Sequence, residues 1–179
     1  TSRRQRQMCI RDRFIGMQVI IEGLALAAFQ ASRDLTKDPV FRDMLGLIIR
    51  DEARHVTFGI NYLEEFVDTL TEQEKEDRAQ FAYEACWLSR ERLVSMEVFE
   101  HFGMDAEEAR QFQLSSDITQ LFQKLLFSRV MPNLRRIGLL RDSVKEKFED
   151  LGILDYASAQ SDAHIDWADL SRPLFEETA

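Results

Sequence analysis

Residues 39–70, PVFRDMLGLIIRDEARHVTFGINYLEEFVDTL, keep the spacing of an amphipathic helix over their whole length. Steps of three and four residues connect the following positions into one stripe: Phe41, Leu45, Ile48, Glu52, His55, Gly59 and Leu63. Pro39 stands where the first turn of a helix tolerates proline. The pattern predicts a long helix with Glu52 and His55 on the side that we expect to face the core.

The preceding segment, residues 14–33, reads FIGMQVIIEGLALAAFQASR and is apolar on nearly every side. This pattern predicts a buried helix. Glu22 is the only charged residue between Phe14 and Gln30, and a buried carboxylate is costly unless a cation, a proton or a metal accompanies it. Because Gln18 and Glu22 interrupt the apolar run, we do not expect it to span a membrane.

A short polar connection, Asp34 to Asp38, joins the two predicted helices into an antiparallel hairpin. Glu22 lies 12 residues before Asp34, and Glu52 lies 13 residues after Pro39. At the standard helical rise, both side chains are about 18 Å from the turn. We therefore expect Glu22 to face Glu52 and His55 across the core.

Two carboxylates and one imidazole at a single level of a helical bundle make half of a carboxylate-bridged dinuclear metal site. Such a site takes a Glu from each of two helices and a Glu-x-x-His from each of the other two. The three-residue step lets Glu52 bridge two metals while His55 binds one of them, and this mixture of ligands suits iron or manganese. Taken singly, the motifs have plainer alternatives, namely a salt-bridged core glutamate and an exposed helix face.

The pair Glu22-Gly23 in an apolar helix, followed by Arg50-Asp51-Glu52-x-x-His55, resembles the second half of the ferritin-like di-iron superfamily. The likeness covers about residues 14–70 and is greatest to the branch with the ribonucleotide reductase small subunit and related di-iron oxidases and oxygenases. It implies an all-α ferritin-like bundle, here the second helix pair plus C-terminal helices. It also implies that Glu22, Glu52 and His55 ligate two iron ions or a mixed Mn/Fe pair, and that Asp51 hydrogen-bonds a ligand histidine of the other half.

The activity that this resemblance implies is reductive activation of O2 by an oxidoreductase. Its substrate would be a C–H or N–H bond of a small organic molecule, or a nearby side chain, with electrons from a donor protein. No further residue is assigned a catalytic role, and a homodimer is left open because the family often dimerises.

Two alternative functions remain. The first is a radical-bearing ribonucleotide reductase small subunit, for which the acidic, partly hydrophobic ending DWADLSRPLFEETA would serve as a docking tail. The second is a non-catalytic or iron-storage bundle, against which the long extension after Leu70 argues.

The rest of the family's ligand set lacks a counterpart in this sequence. The family's first acidic ligand and first Glu-x-x-His come before this helix pair, and the residues before Phe14 contain neither. Residues 71–179 contain no Glu-x-x-His, and Glu97 and His101 are four apart in a charged stretch that we expect to be exposed. As it stands, the chain holds three of about six expected ligands. We therefore expect this fragment alone to bind iron weakly or not as a proper pair, and to be inactive alone.

The opening residues 1–13, TSRRQRQMCIRDR, are strongly basic and lack helical periodicity. They resemble a translated sequencing-adapter read, in which case the natural protein begins further upstream; the alternative is a basic, disordered arm. We therefore leave them out of the fold prediction. The predicted organisation is a non-native or disordered segment at 1–13, the C-terminal half of a ferritin-like helical domain at 14–155, and a polar tail at 156–179.

Composition limits the partners and the compartment. The chain has 179 residues, 45% of them hydrophobic, which suits one domain with a sizeable core. Its net charge of -9 argues against nucleic acid or an anionic membrane as the main partner. Two cysteines, Cys9 and Cys86, give no disulfide framework, so we expect a cytoplasmic protein.

Capping signals predict the remaining helices. Thr71 with Glu74 forms a capping box that starts a third helix, predicted to continue to Gly103. Asp105 is expected to cap a fourth helix, and Ser116 or Asp117 a fifth that Pro132 should kink or end. A short helix follows around 143–151. Several large side chains are expected either in the core or, for the first four, along an apolar substrate channel: Phe29, Phe58, Tyr62, Phe66, Cys86 and Trp87.

Overall fold

A computed structural model describes residues 12–93 and 96–164, and every regular element within these ranges is helical. The helices are α1 (Glu22–Leu35), α2 (Pro39–Asp68), α3 (Glu72–Glu91), α4 (Met96–His101), α5 (Ala106–Ser115), α6 (Asp117–Arg136) and α7 (Asp142–Asp150). A π-helical segment, Ile15–Ile21, continues directly into α1, and two 3-10 turns occupy Leu154–Ser158 and Asp162–His164. The all-α prediction is confirmed. Most of the basic opening segment and the last part of the predicted tail lie outside the described residues.

Helices α1 and α2 form the predicted antiparallel hairpin. The Asp38 carboxylate accepts hydrogen bonds from the backbone N–H groups of Val40 and Phe41 at 2.8 and 3.1 Å, and Pro39 occupies the first turn of α2. These contacts satisfy two of the N–H groups that a helix start leaves free. At the far end of the hairpin, the rings of Phe14 and Tyr62 meet edge to face with centroids 5.3 Å apart. The two helices thus run side by side along the whole of α1.

A glycine permits their closest approach. A Cβ atom at position 59 would lie 2.8 Å from the Cβ of Gln18, which is closer than carbon atoms pack. Gly59 therefore lets the π-helical segment lie directly against α2. The contact fixes the height of Gln18, and hence of Glu22 one turn later, relative to α2.

The hairpin is covered on one side by α6, and α3 packs against the π-helical segment and α7. The largest fully buried side chains of these elements come from the π-helical segment, α1, α2, α6 and α7: Ile15, Ile20, Leu26, Ile49, Ile60, Leu63, Phe127, Met131, Leu134 and Phe148. Of the two predicted effects of Pro132, a kink or the end of the helix, the second does not occur, because α6 continues to Arg136. The residues on both sides of Pro132 are buried, so tertiary packing outweighs the hydrogen bond that proline removes.

The buried face of α2 is displaced by about one residue from the predicted stripe. Its members are Leu45, Ile49, Ala53, Val56, Gly59, Ile60, Leu63 and Val67. Phe41 is exposed, and Glu52 and His55 lie at the edge of the buried face rather than at its centre. A polar side chain at the edge costs less desolvation free energy than one at the centre of the buried face, because it keeps part of its hydration.

Helix α3 begins as predicted but ends early. The Thr71 side chain accepts from the Glu74 N–H, and the Glu74 carboxylate accepts from the Thr71 N–H, so the capping box is confirmed. The helix ends at Glu91 rather than at Gly103, and Cys86 is its last buried residue. Trp87, expected in the core, is exposed. A helix without packing partners is only marginally stable in water, which explains the early end.

The predicted caps of the next two helices are confirmed. Asp105 accepts from the Glu108 N–H at 2.8 Å at the start of α5, and Ser116 accepts from the Thr119 N–H at 3.3 Å at the start of α6. Between α3 and α5, the short helix α4 buries none of its described side chains. Helices α4 and α5 therefore form a pair at the periphery of the core.

The packed body continues beyond residue 155 through a buried carboxylate, Asp162. This side chain is 1% exposed and receives hydrogen bonds from Arg129 at 2.6 Å and from Asn133 at 3.0 Å. Its backbone carbonyl accepts from the Thr57 hydroxyl at 3.0 Å. These bonds attach the end of the described chain to α6 and α2, a connection that the polar sequence of the segment did not predict.

The first helix also meets a length and composition test for a membrane span. The helix Asp12–Leu35 has a mean hydropathy of 1.6 over its most apolar window. Gln18 and Glu22 therefore do not make the segment too polar to meet the test, contrary to expectation. In the structure 44% of that window is buried inside the protein. Buried core helices meet the same test.

Replacing Gly59 by alanine tests the close approach of the hairpin. We expect G59A to lower the free energy of unfolding by about 1–3 kcal/mol, because the added methyl group forces the π-helical segment away from α2. Gly46→Ala is the matched control on the same helix, since its Cβ would have only the Arg33 side chain nearby, at 3.8 Å. The control should stabilise the protein by about 0.5–1 kcal/mol through helix propensity. Urea denaturation gives both values, and equal signs would contradict the packing argument.

Removing the Asp162 carboxylate tests the attachment of the C-terminal segment. We expect Asp162→Ala to cost about 2–4 kcal/mol, because Arg129 and Asn133 lose their partner in a site that water scarcely reaches. Asp155→Ala, at an exposed position of the preceding 3-10 turn, should stay within about 0.5 kcal/mol of the parent protein. Thermal denaturation of both variants measures the difference.

Candidate metal centre

Glu22 stands at the junction between the π-helical segment and α1. Its backbone N–H donates to the carbonyl of Met17, five residues earlier, which is the last hydrogen bond of the π-helical pattern. Each π turn holds more residues than an α turn, so the segment rotates the side chains after it relative to a regular helix. Such segments are rare and occur often at functional sites.

Glu52 and His55 come from the middle of α2 and point to the same side of it, three residues apart. The Nδ1 atom of His55 lies 3.5 Å from the Oε2 atom of Glu52. The side chain of Glu52 is 27% exposed and that of His55 is 59% exposed. The pair therefore sits at the boundary between the hairpin core and solvent.

The structure brings Glu22, Glu52 and His55 together. One carboxylate oxygen of each glutamate and one ring nitrogen of the histidine all lie within 4.8 Å of one another. The equal residue counts from the hairpin turn anticipated this convergence. Three donors from two helices at this spacing can share one ion, or a pair of bridged ions, after small side-chain rotations.

Hydrogen bonding leaves half of the Glu22 carboxylate without a partner. Gln18 donates from Nε2 to Oε1 of Glu22 at 2.5 Å. The other oxygen, Oε2, is buried and has no hydrogen-bond partner in the described part of the chain. A buried acceptor left unpaired is expensive in a folded protein, so this atom fits a ligand that the protein chain does not itself provide.

The electrostatics of Glu22 follow from its neighbours. Burial raises the pKa of Glu22 above its usual range, and the negative charge of Glu52 raises it further. The His55 ring and the hydrogen bond from Gln18 act in the opposite direction but are smaller. No lysine or arginine pairs with either glutamate within residues 12–93 and 96–164, so a cation from solution would relieve the repulsion.

Asp51 is exposed and accepts from Nη1 of Arg54 at 2.8 Å, on the side of α2 that faces solvent. Its predicted partner is a ligand histidine of the other half of the site, which this hairpin does not contain, so that role stays a prediction. Glu97 and His101 are exposed on α4, as expected. Phe58 and Tyr62 are also exposed, so the expectation that they belong to the core of this chain is wrong. The other expectation, a place along an apolar substrate channel, stays a prediction.

Two residues that support the cluster were not predicted. Gln18 orients the Glu22 carboxylate, and Gly59 allows Gln18 to approach α2. Gln18 is four residues before Glu22, the usual spacing for side-chain contact on a helix, so this signal was available in the sequence. The contact between Gln18 and Gly59 depends on the relative position of two helices, which no local pattern shows.

The comparisons with known proteins add no relative. No family model, curated protein or solved structure matches this chain.

Substituting Glu22 by Gln tests the electrostatic cost of the cluster. In the presence of a chelator at pH 7, we expect E22Q to raise the free energy of unfolding by about 0.5 kcal/mol, because it removes one of two facing negative charges. Since the pKa of Glu22 is raised, the parent carboxylate carries this cost above that pKa and loses it as the pH falls towards the ordinary value of 4.5. The gain should therefore disappear near pH 4.

Glu97→Gln, at an exposed position of α4, is the control and should change stability little at either pH. Thermal denaturation at the two pH values measures both variants. A loss of stability in E22Q at pH 7 would show that the carboxylate has a stabilising partner in the metal-free protein.

Proposed function

We propose that Glu22, Glu52 and His55 are half of the ligand set of a dinuclear iron or mixed manganese–iron centre in a ferritin-like bundle. The observation that carries the proposal is the approach of three donor atoms, one from each residue, to within 4.8 Å of one another, together with a buried oxygen of Glu22 that has no hydrogen-bond partner among the described residues. A structural role would have supplied that oxygen with a protein donor. The donor set, two carboxylates and one imidazole, is one that iron and manganese accept.

The three side chains have different tasks in the proposed centre. Glu52, at the edge of the buried face, can bind through both of its oxygens, and His55 offers a ring nitrogen from the same side of α2. Glu22 approaches from α1, where Gln18 donates to one of its oxygens and the other oxygen has no hydrogen-bond partner among the described residues. Gln18 thus orients a ligand without binding the metal itself.

A metal pair bound there would supply oxygen activation and electron transfer, chemistry that protein side chains lack. The Arg50-Asp51-Glu52-x-x-His55 resemblance supports an oxidoreductase that uses O2, electrons from a donor protein and a small organic substrate, acting in the cytoplasm. The contribution of this chain is ligation and a partly apolar setting. The π-helical segment and the core face of α2 exclude water from the inner side of the cluster.

A radical-bearing ribonucleotide reductase subunit and an iron-storage bundle share the proposed ligands. Four helices follow α3, and α6 and α7 pack into the same core as the hairpin. A storage protein needs little chain after its ligand helices, so these helices favour an enzyme scaffold. The described part of the tail ends against α6 and α2, where Asp162 holds it.

Adding ferrous iron under nitrogen tests the metal site. The parent chain should gain thermal stability with Fe2+, because a ligand that binds only the folded state stabilises it in proportion to the logarithm of its concentration. Glu52→Gln should lose at least about tenfold in Fe2+ affinity, since a bridging charge is replaced by a neutral amide. Glu65→Gln, exposed on the same helix, is the matched control and should behave as the parent.

Thermal denaturation across an Fe2+ titration gives the affinities, and far-ultraviolet circular dichroism checks that the helices are retained. Equal iron-induced stabilisation of the parent and E52Q would remove Glu52 from the site.

A further inference from the structure

The face of the hairpin that carries the proposed metal ligands is apolar, and no element within residues 12–93 and 96–164 covers it. On α2, exposed or half-exposed large side chains follow steps of three and four residues on both sides of Glu52 and His55: Phe41, Met44, Ile48, Phe58 and Tyr62. On the neighbouring helix, Met17 and Ile21 are exposed just before Glu22. We call this set, together with the three proposed ligands, the open face.

The open face is ordered by its own contacts. The rings of Phe58 and Tyr62 stack with centroids 6.3 Å apart, and Phe14 meets Tyr62 edge to face at 5.3 Å. These aromatic pairs hold the side chains in position without a partner. A surface prepared in this way loses little conformational entropy when something binds to it.

Polar groups occupy the centre of the open face and apolar groups surround them. Glu52 and His55 lie between Met44 and Phe58 along α2, and Glu22 approaches them from α1. This is the usual arrangement of a binding surface, in which an apolar ring excludes water from a few polar contacts. The outer side of His55 is still 59% exposed, so the ring remains open in the single chain.

The size of the face suits a stable protein interface. From Phe41 to Tyr62 the stripe spans 21 residues, which is about 32 Å, and two adjacent helices are about 20 Å wide. Such an area is comparable with the roughly 800 Å² that each partner buries in a typical stable complex. Exposed apolar patches of this extent mark interaction sites.

We propose that the open face binds the same face of a second copy of this chain, so that two hairpins form a four-helix bundle and complete one dinuclear metal site. The proposal rests on the proposed function. Each copy brings two glutamates and one histidine, and two copies bring four glutamates and two histidines. That sum is a Glu from each of two helices and a Glu-x-x-His from each of the other two.

Twofold symmetry explains why the ligands lie near the middle of the face. In a symmetric dimer the same patch meets itself, and groups on the axis of rotation face their own copies. A cluster at the centre of the face therefore meets the same cluster of the second copy, whereas a cluster at the rim would lie far from its counterpart. The apolar residues on either side then pack against the opposite end of the partner's stripe.

Charge makes this association dependent on metal. Each chain has a net charge of -9, and the dimer would place four glutamates around one axis. Without a cation the carboxylates repel each other at short range. Two divalent ions carry four positive charges and neutralise the four carboxylates. We therefore expect the metal-free chain to be a monomer and the iron-bound chain to be a dimer with one iron per chain.

Sedimentation equilibrium of the whole chain, with and without Fe2+ under nitrogen, tests the proposal. The expected mass is 20.9 kDa in chelator, and Fe2+ should double it with one iron bound per chain. Iron binding in this ratio with no change in mass would overturn the dimer and leave the proposed function intact. No binding of Fe2+ at all would overturn both.

A matched pair of surface variants separates this interface from general stickiness. Phe58→Glu, at a side chain that is 64% exposed, should fold normally and weaken the iron-bound dimer at least about tenfold. Phe112→Glu places the same substitution at a side chain that is 76% exposed on α5, and it should dimerise as the parent does. A dimer that forms equally well in chelator, or that F58E leaves unchanged, would overturn the proposal.

Discussion

The contact between Gln18 and Gly59 is the constraint on which the candidate site depends. It joins the π-helical segment to α2 at a distance that only glycine permits, and it lies about one turn from Glu22 and His55 and about two turns from Glu52. Gln18 then holds Glu22 by a hydrogen bond, so one residue sets both the spacing of the helices and the direction of a carboxylate. The proposed metal site is consequently a property of the hairpin as a whole rather than of the Glu-x-x-His motif alone.

Counting residues from the hairpin turn predicted that Glu22, Glu52 and His55 lie at one height along the two helices, but it did not predict how deeply they are buried. Equal distances from the turn brought Glu22 opposite Glu52 and His55, because the rise of a helix is nearly constant. Rotation about the helix axis is less well determined by sequence, since a shift of one residue turns the buried face by about 100°. Glu52 and His55 share steps of three and four residues with Leu45 and Leu63, yet the core is centred on the line through Ile49 and Ala53.

Local signals located helix starts better than helix ends. Thr71, Asp105 and Ser116 each cap the helix that the sequence assigned to them, because the cap is a contact between residues three positions apart. The end of α3 at Glu91 and the continuation of α6 through Pro132 depend on whether packing partners are present, which is non-local information. The π-helical segment likewise has no simple sequence pattern and arises where α2 and α6 confine the first helix.

The two buried carboxylates show how function and structure can be distinguished by hydrogen bonding. A buried acid in a protein is most simply explained by a salt bridge, and Asp162 has one, with Arg129 and Asn133 serving its two oxygens. Glu22 is less buried, yet one of its oxygens has no hydrogen-bond partner in the described part of the chain, and the largest charge effect on its pKa is the repulsion from Glu52. Stability alone would favour a neutral or paired residue at position 22. An arrangement that is costly for the metal-free chain and that a cation would relieve is therefore better explained by the proposed binding role than by a role in folding.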